Sequence, residues 1–378
     1  MAASDEAPLY WDSATGEGVM WKTEVPLSGL GSPVVWGDRV FLSGATEETR
    51  EVYCFDANTG ELLWQRDVVV ELSANDEPPE VSEDTGFAAP TMAVDGRRAY
   101  AMFANGDVAA FDFEGNLVWS RTFGSLDNVY GHASSLAMYQ DRLIVQLDQD
   151  GDAEQEKSVL VALDAATGKR VWETKRPVPA SWSTPIIVNT GQRDEIITCA
   201  NPWVIAYNPE DGKELWRVDC LRGDVAPSPI FAKGLIFACN AGVGLFAIEP
   251  ARAATGEDSP MAWTALDGVP DVPSPVSNEE LLFLVDGYGT VTCYEVQSGE
   301  KIWEHYLAVM VYASPTLVGE YLYVLDQEGT VHILQVGRKY KRVGKVALGE
   351  ASNSSPAFVN GRIYIRGDKH LYCIGEEL

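Results

Sequence analysis

CFDANTGELLW, residues 54–64, decides the architecture because the chain says it again. ALDAATGKRVW (162–172) and AYNPEDGKELW (206–216) keep its order: an apolar strand ending on a small residue, an Asp/Asn-to-Gly turn, then a strand carrying tryptophan. AFDFEGNLVW (110–119) and CYEVQSGEKIW (293–303) are looser copies, and a degenerate one runs from Ala247 to Trp263. GVMWKTEV (18–25) holds Trp21 in isolation. Seven of the 11 tryptophans (Trp21, Trp64, Trp119, Trp172, Trp216, Trp263 and Trp303) therefore belong to one phrase.

A second phrase alternates with the first. A Ser, Thr or Ala precedes proline and a short apolar run at Pro33, Pro90, Pro185, Pro229, Pro275, Pro315 and Pro356. SSLAM carries Leu136 in that place and reads as the one unit without the proline. Starts near residues 32, 89, 135, 184, 228, 274, 314 and 355 define eight units. Each has room for four strands of about five residues, rich in Val, Ile, Tyr and Phe and bounded by Gly, Asp and Asn. A repeat of about 40–50 residues with four strands is the signature of a propeller blade. The last unit ends after HLYCIG without its tryptophan strand, and residues 18–25 supply one with nothing before it. The expectation is an all-β, eight-bladed β-propeller over residues 1–378, one domain, whose N-terminal strand closes the last blade. Closure removes the sheet edges that would template aggregation.

The repeat chemistry follows. In the turn, an Asp or Asn side chain bonds the backbone ahead of it, and Gly60, Gly168 and Gly212 supply positive φ. Each indole is expected to lie flat on the next blade. Ala110, Ala162, Ala206, Ala247, Cys54, Cys293 and Cys373 hold a position that must be small where blades converge. The seventh unit has Val343 and Gly344 in place of tryptophan, so its junction should be the weakest.

The net charge of −28 disfavours nucleic acid and anionic membrane, because phosphate binding needs a basic face. No apolar run approaches the length of a transmembrane helix. MAASDEAPLYWDS lacks the basic-then-apolar form of a signal peptide, which is compatible with the cytosol or with a mature exported form behind a starting Met. The six cysteines include no adjacent pair and no Cys-x-x-Cys. Buried free thiols are expected, with one disulfide among Cys199, Cys220 and Cys239 as the alternative.

These residues resemble the PQQ-like (pyrroloquinoline-quinone-like) repeat family, whose tryptophan-docking motif is the A-x-D-x-x-T-G-x-x-x-W phrase. The resemblance runs from Trp21 to Gly375. It implies the fold and leaves function open between two branches. Quinoprotein alcohol dehydrogenases bind the quinone and a calcium ion over the propeller axis. The outer-membrane assembly factor BamB is a scaffold of about this length without quinone. The wording SPVVWGDRVFLSG, EVYCFD, YGHASSL and NPWVIAYNP is also similar to exported planctomycete-type propellers of unassigned role. The dehydrogenase branch stacks its quinone on a disulfide between adjacent cysteines, which this chain lacks, and no CxxCH offers a haem. The expected role is a non-catalytic, monomeric, periplasmic or otherwise exported scaffold, with no cofactor. The alternatives are a PQQ- and calcium-dependent dehydrogenase, or an ion or small-ligand site in the axial funnel.

The segments before each innermost strand should converge on one mouth of the channel. They supply Phe87, His132, Trp182, Asp224, Asp271, Tyr312 and Asn353, an acidic and aromatic set able to hold a cation or a planar ligand. The plainer reading, a polar rim with Trp182 covering the channel, is preferred. YGHASS (130–135) is the sharpest fragment, but nothing in it positions a general base. Asp148, Asp150, Asp152 and Glu154 sit on a Gly-containing loop with oxygen ligands for calcium; Val159 stands where an EF-hand needs its last acid, and a solvated acidic loop is preferred. The insertion from Val68 to Gly86 is the first candidate for partner contact, because connections this long are commonly functional or disordered. The insertion after Ile248 is the second.

Overall fold

Each unit's four apolar runs fold as four antiparallel strands, and eight such sheets succeed one another around a ring. The computed structural model of the chain describes residues 7–69, 81–150, 157–256 and 259–376. The first sheet shows the plan, with Val34–Trp36 innermost, then Arg39–Ala45, Arg50–Asp56 and Leu62–Asp67 in chain order. The eighth takes Ala357–Val359, Arg362–Arg366 and His370–Ile374 from the C-terminal end and Val19–Glu24 from the N-terminal end. Trp21 lies opposite Cys373 there, and Glu24 opposite His370. The chain is thus an all-β, eight-bladed propeller closed by its N-terminal strand.

Burial sorts the strands by radius. The second and third strands of each blade are covered on both faces by neighbouring blades, as the runs Val40–Ala45 and Val52–Phe55 show. Both faces are therefore apolar, and alternation is lost. The outermost strand keeps only its tryptophan side covered, so Leu62–Asp67 buries Trp64 alone.

The small residue at the end of the third strand has a local cause. It is the cross-strand partner of the tryptophan: Cys54 faces Trp64, Ala162 faces Trp172, Ala206 faces Trp216 and Cys293 faces Trp303. A bulge follows each pair and adds twist. In the seventh blade the volumes are exchanged, with Ile333 on the third strand opposite Gly344.

The indole then reaches the next blade's turn. A Cβ on Gly60 would stand 2.6 Å from the ring of Trp21; on Gly168, 2.5 Å from Trp119; on Gly212, 2.5 Å from Trp172. Glycine is required there by contact as well as by φ, which is +73° at Gly60. The ring N–H groups donate to carbonyls of the same turns, Trp21 to Ala57 at 3.1 Å, Trp64 to Phe113 at 3.0 Å and Trp172 to Pro209 at 3.1 Å. Trp216 differs, donating to Glu195 Oε2 at 2.8 Å. The insertion after Ile248 forms a short helix, Pro250–Thr255, where the turn would be, and its Ala253 shares a core with Trp216.

Around the channel, the first seven innermost strands are each tied to the next by one hydrogen bond of a fixed kind. The backbone N–H of Ser32 donates to Thr91 Oγ1, Thr91 to Ser135 Oγ, Ser135 to Thr184 Oγ1 and Thr184 to Ser228 Oγ. Ser228, Ser274 and Ser314 continue it to Ser274, Ser314 and Ser355. This belt corrects the register of the second unit. Thr91–Met92, not Ala89–Pro90, is the equivalent of Ser32–Pro33, so two units lack the proline rather than one. The hydroxyl is the constant element because it accepts the bond; proline only follows it.

The seventh junction is not left open. Trp11, which carries no trace of the repeat phrase, is 1% exposed and packs with Ile333, Val346, Leu348 and Tyr372. Its segment is pinned by the Tyr323 hydroxyl, which donates to the carbonyls of Ala7 and Pro8 at 3.2 Å, and by Ser13 Oγ donating to Ala347. A Cβ on Gly344 would come within 3.0 Å of the Leu9 carbonyl. All six cysteines are buried and free, including Cys199, Cys220 and Cys239. Burial pushes the Cys54 and Cys373 thiols up to about 11. They are structural groups rather than reactive ones.

Candidate functional site

The connections that enter the innermost strands do converge on one mouth, and they enclose a cavity of about 340 Å³ on the ring axis. Trp182, Asp224, Asp271, Tyr312 and Asn353 line it, together with Leu30, Ala89, Ala133, Ala226 and Val272. Ser82, Asp84, Thr85 and Tyr130 complete the wall. The first three are the returning end of the long insertion. Its Ser82 N–H donates to the Tyr130 carbonyl at 3.1 Å, and Val81 lies against Gly131 so closely that a Cβ there would meet it at 2.8 Å. Residues 70–80, the middle of the Val68–Gly86 insertion, lie outside the described residues. Asp84 is a wall residue that sequence reasoning missed, because no local pattern says that an insertion folds back over the axis.

The wall is held rigidly. Trp182 donates its backbone N–H to Val225 at 2.9 Å and its ring N–H to the Gly131 carbonyl at 3.0 Å. Tyr130 packs on it with ring centroids 5.1 Å apart. Asp271 Oδ1 accepts the Gly287 N–H at 2.9 Å. The Asp224 carbonyl accepts from Asn240 Nδ2 at 2.7 Å, which leaves its side chain exposed to the mouth. Asn353 Oδ1 is buried and has no hydrogen-bond partner among the described residues. Burial, with Asp84 and Asp271 adding to it, raises the Tyr312 phenol above its ordinary value. The described lining residues include no Lys, Arg, His or Cys.

Two candidates stand elsewhere. Phe87 packs into the core between the first two blades. His132 is 1% exposed, outside the wall, with neither ring nitrogen partnered among the described residues. The sequence places it at the mouth; the strand-entry turn rotates it inward and leaves Ala133 facing the cavity. Burial lowers its pKa to about 4. The folded chain therefore refuses a proton that the unfolded chain accepts below about pH 6.5. This group costs nothing above that pH and removes up to roughly 3 kcal/mol of stability as pH falls towards 4. Denaturant melts at about pH 7 and 4.5 should show this loss, and His132→Gln should flatten it. An unchanged slope would clear His132 of the effect.

The acidic loop is also rearranged. Asp148 is fully buried in a two-pronged pair with Arg176, Nε to Oδ1 at 2.6 Å and Nη2 to Oδ2 at 2.9 Å. Its carboxylate serves that guanidinium rather than a cation at the surface. Asp150 Oδ2 accepts the Val129 N–H at 2.6 Å, while Asp152 and Glu154 lie outside the described residues. Among the described residues no group of three His, Cys, Asp or Glu side chains has metal-binding geometry.

The quinone reading can be weighed on the same wall. Pyrroloquinoline quinone is a tricarboxylate, and three aspartates line the cavity with no cationic side chain among its described lining residues. None of the six cysteines reaches it. The residues present do not fit that group.

Comparisons with known proteins agree with the geometry. A BamB of Burkholderia pseudomallei is 22% identical over 343 residues, spanning 86% of this chain and 76% of that protein. The crystal structure of BamB from Moraxella catarrhalis superposes with a TM-score of 0.69 at 16% identity, covering 95% of this chain and 99% of that one. A europium-containing methanol dehydrogenase superposes at 0.70 and 12% identity, over 96% of this chain and 88% of that one. At such identities these two structures show the fold alone. The sequence model of the family described as outer membrane protein assembly factor BamB matches residues 1–152, 155–274 and 253–366. With nearly its whole length matched, the chain belongs to that family of PQQ-like propellers.

Proposed function

We propose that the chain is a non-catalytic scaffold that acts outside the cytoplasm as a monomer and presents its loops to protein partners. The observation that carries this reading is the wall of the axial cavity. It offers acids and aromatics on a stiff frame, but none of its described residues is a histidine, a thiol or a cation. The family description, outer membrane protein assembly factor, supports it. The partner class proposed is an outer-membrane assembly subunit or a β-rich client. Docking proceeds by loop contact or strand addition. No helix among the described residues is long and apolar enough to cross a membrane.

The test is capture of a partner from cell-envelope extract by the tagged chain. Replacing residues 70–80 with a short Gly-Ser linker should abolish capture without lowering the melting temperature. The cut avoids Val68, which is buried, and residues 81–86, which build the mouth. Capture unaffected by the replacement would remove this loop as the contact. The dehydrogenase reading rests on fold likeness to methanol dehydrogenase. Dye reduction by an alcohol or sugar after addition of PQQ and calcium would restore it.

A further inference from the structure

The axial cavity has the chemistry of a cation receptor. Asp84, Asp224 and Asp271 line it with acidic side chains, and Tyr130, Trp182 and Tyr312 line it with aromatic ones. Aromatic rings attract an organic cation, more strongly as water leaves. Carboxylates add charge and hydrogen-bond acceptors, and a guanidinium can use both at once. Asn353 Oδ1, buried and unpartnered, provides a neutral acceptor on the same wall. A bare metal ion is less well matched, since half of this set is aromatic carbon.

The surroundings say how such a cation would arrive. Gly287, whose N–H holds Asp271, is followed by Tyr288, 67% exposed. Tyr306 and Met310 stand exposed beside it at 62% and 43%, around a second hollow that Tyr288 shares with them. Backbone bonds from Val311 to Gly287 and from Gln327 to Met310 make this strip continuous with the Tyr312 side of the cavity. The net charge of −28 draws basic partners to the whole molecule.

We propose that the axial cavity takes the head of a basic side chain, arginine or lysine, carried by a partner segment whose apolar neighbours rest on the strip formed by Tyr288, Tyr306 and Met310. The proposal rests on the scaffold reading and names the chemistry of its partner.

The test uses the full chain and fluorescence polarisation with labelled acetyl-Leu-Ala-Arg-Ala-Leu-amide, the same peptide with citrulline for arginine, and competition by N-acetylarginine amide. The arginine peptide should bind, and added salt should weaken it. Citrulline should weaken binding by on the order of ten-fold, as should Asp224→Asn or Asp271→Asn. Tyr288→Ser should weaken the peptide while leaving N-acetylarginine amide unaffected. Melting curves establish that each variant is folded. Equal binding of the citrulline peptide, or indifference to both aspartate variants, would overturn the proposal. Competition by N-acetylarginine amide as tight as the peptide would assign the cavity to free small cations and overturn the partner-borne source. Partner capture that survives Asp224→Asn/Asp271→Asn would sink the cavity and leave the scaffold standing. Failure of the native chain to capture anything, with the peptide bound as described, would sink the scaffold reading alone.

Discussion

Trp11→Ala should lower the unfolding free energy by about 3–5 kcal/mol, the cost of emptying a fully buried indole site. The reason lies in the volume exchange of the seventh blade. Where other blades set a tryptophan against Ala or Cys, this one sets Gly344 against Ile333, and its outermost strand carries no indole to lay on the eighth blade. Trp11 arrives from the N-terminal segment and fills that junction among Ile333, Val346, Leu348, Tyr372 and Ile374. Its ring N–H is buried without a partner among the described residues, so the side chain contributes by packing rather than by hydrogen bonding. Trp11→Phe should therefore recover most of the loss. Trp36→Ala is the control: its side chain is 48% exposed, and its removal should stay within about 0.5 kcal/mol. Urea melts followed by circular dichroism measure all three. A Trp11→Ala protein that melts with the native one would show that the junction closes without this residue.

What the sequence reveals here follows the range of the interaction that fixes each feature. The tryptophan strands are legible because turn, small residue and indole are contiguous, within about a dozen positions of one another. Ring closure is legible by subtraction, since one blade lacks a strand and one strand lacks a blade. Trp11 is not legible, because its partners lie in the seventh and eighth blades and its own neighbours carry no repeat. The second unit is misread for a related reason. Pro90 draws the eye, but the belt around the channel selects the hydroxyl of Thr91, the next residue. At the mouth, position along each blade is enough to bring Trp182, Asp224, Asp271, Tyr312 and Asn353 together. It does not say which way a side chain turns, so His132 is misplaced. Nor does it say what crosses above, so Asp84 is missed.

Asp148 is the sharpest case, and it carries the second large expected effect. In the sequence it is one of a run of acids and reads as a surface residue. The charge that decides its fate, Arg176, is supplied from the end of the same blade's outermost strand. Together they form a sealed network. Asp148 Oδ2 accepts from Ser181 Oγ at 2.6 Å and from Gln146 Nε2 at 2.9 Å, while Arg176 Nη1 donates to Thr198 Oγ1 at 2.7 Å and to the Tyr207 hydroxyl at 3.2 Å. Burial pulls the guanidinium down, but Asp148 and Tyr207 outweigh it, and Arg176 lies above its ordinary value. Removing one partner leaves the other buried and uncompensated, a cost of about 3–5 kcal/mol. Arg176→Met and Asp148→Leu should each destabilise by that amount. The double variant should cost much less than their sum, because it buries no unpaired charge, although Ser181, Gln146 and Thr198 keep it from full recovery. A double-mutant cycle in urea reads the coupling directly. If the two losses simply add, the pair is solvated in solution, and Asp148 returns to the loop as a surface carboxylate open to calcium.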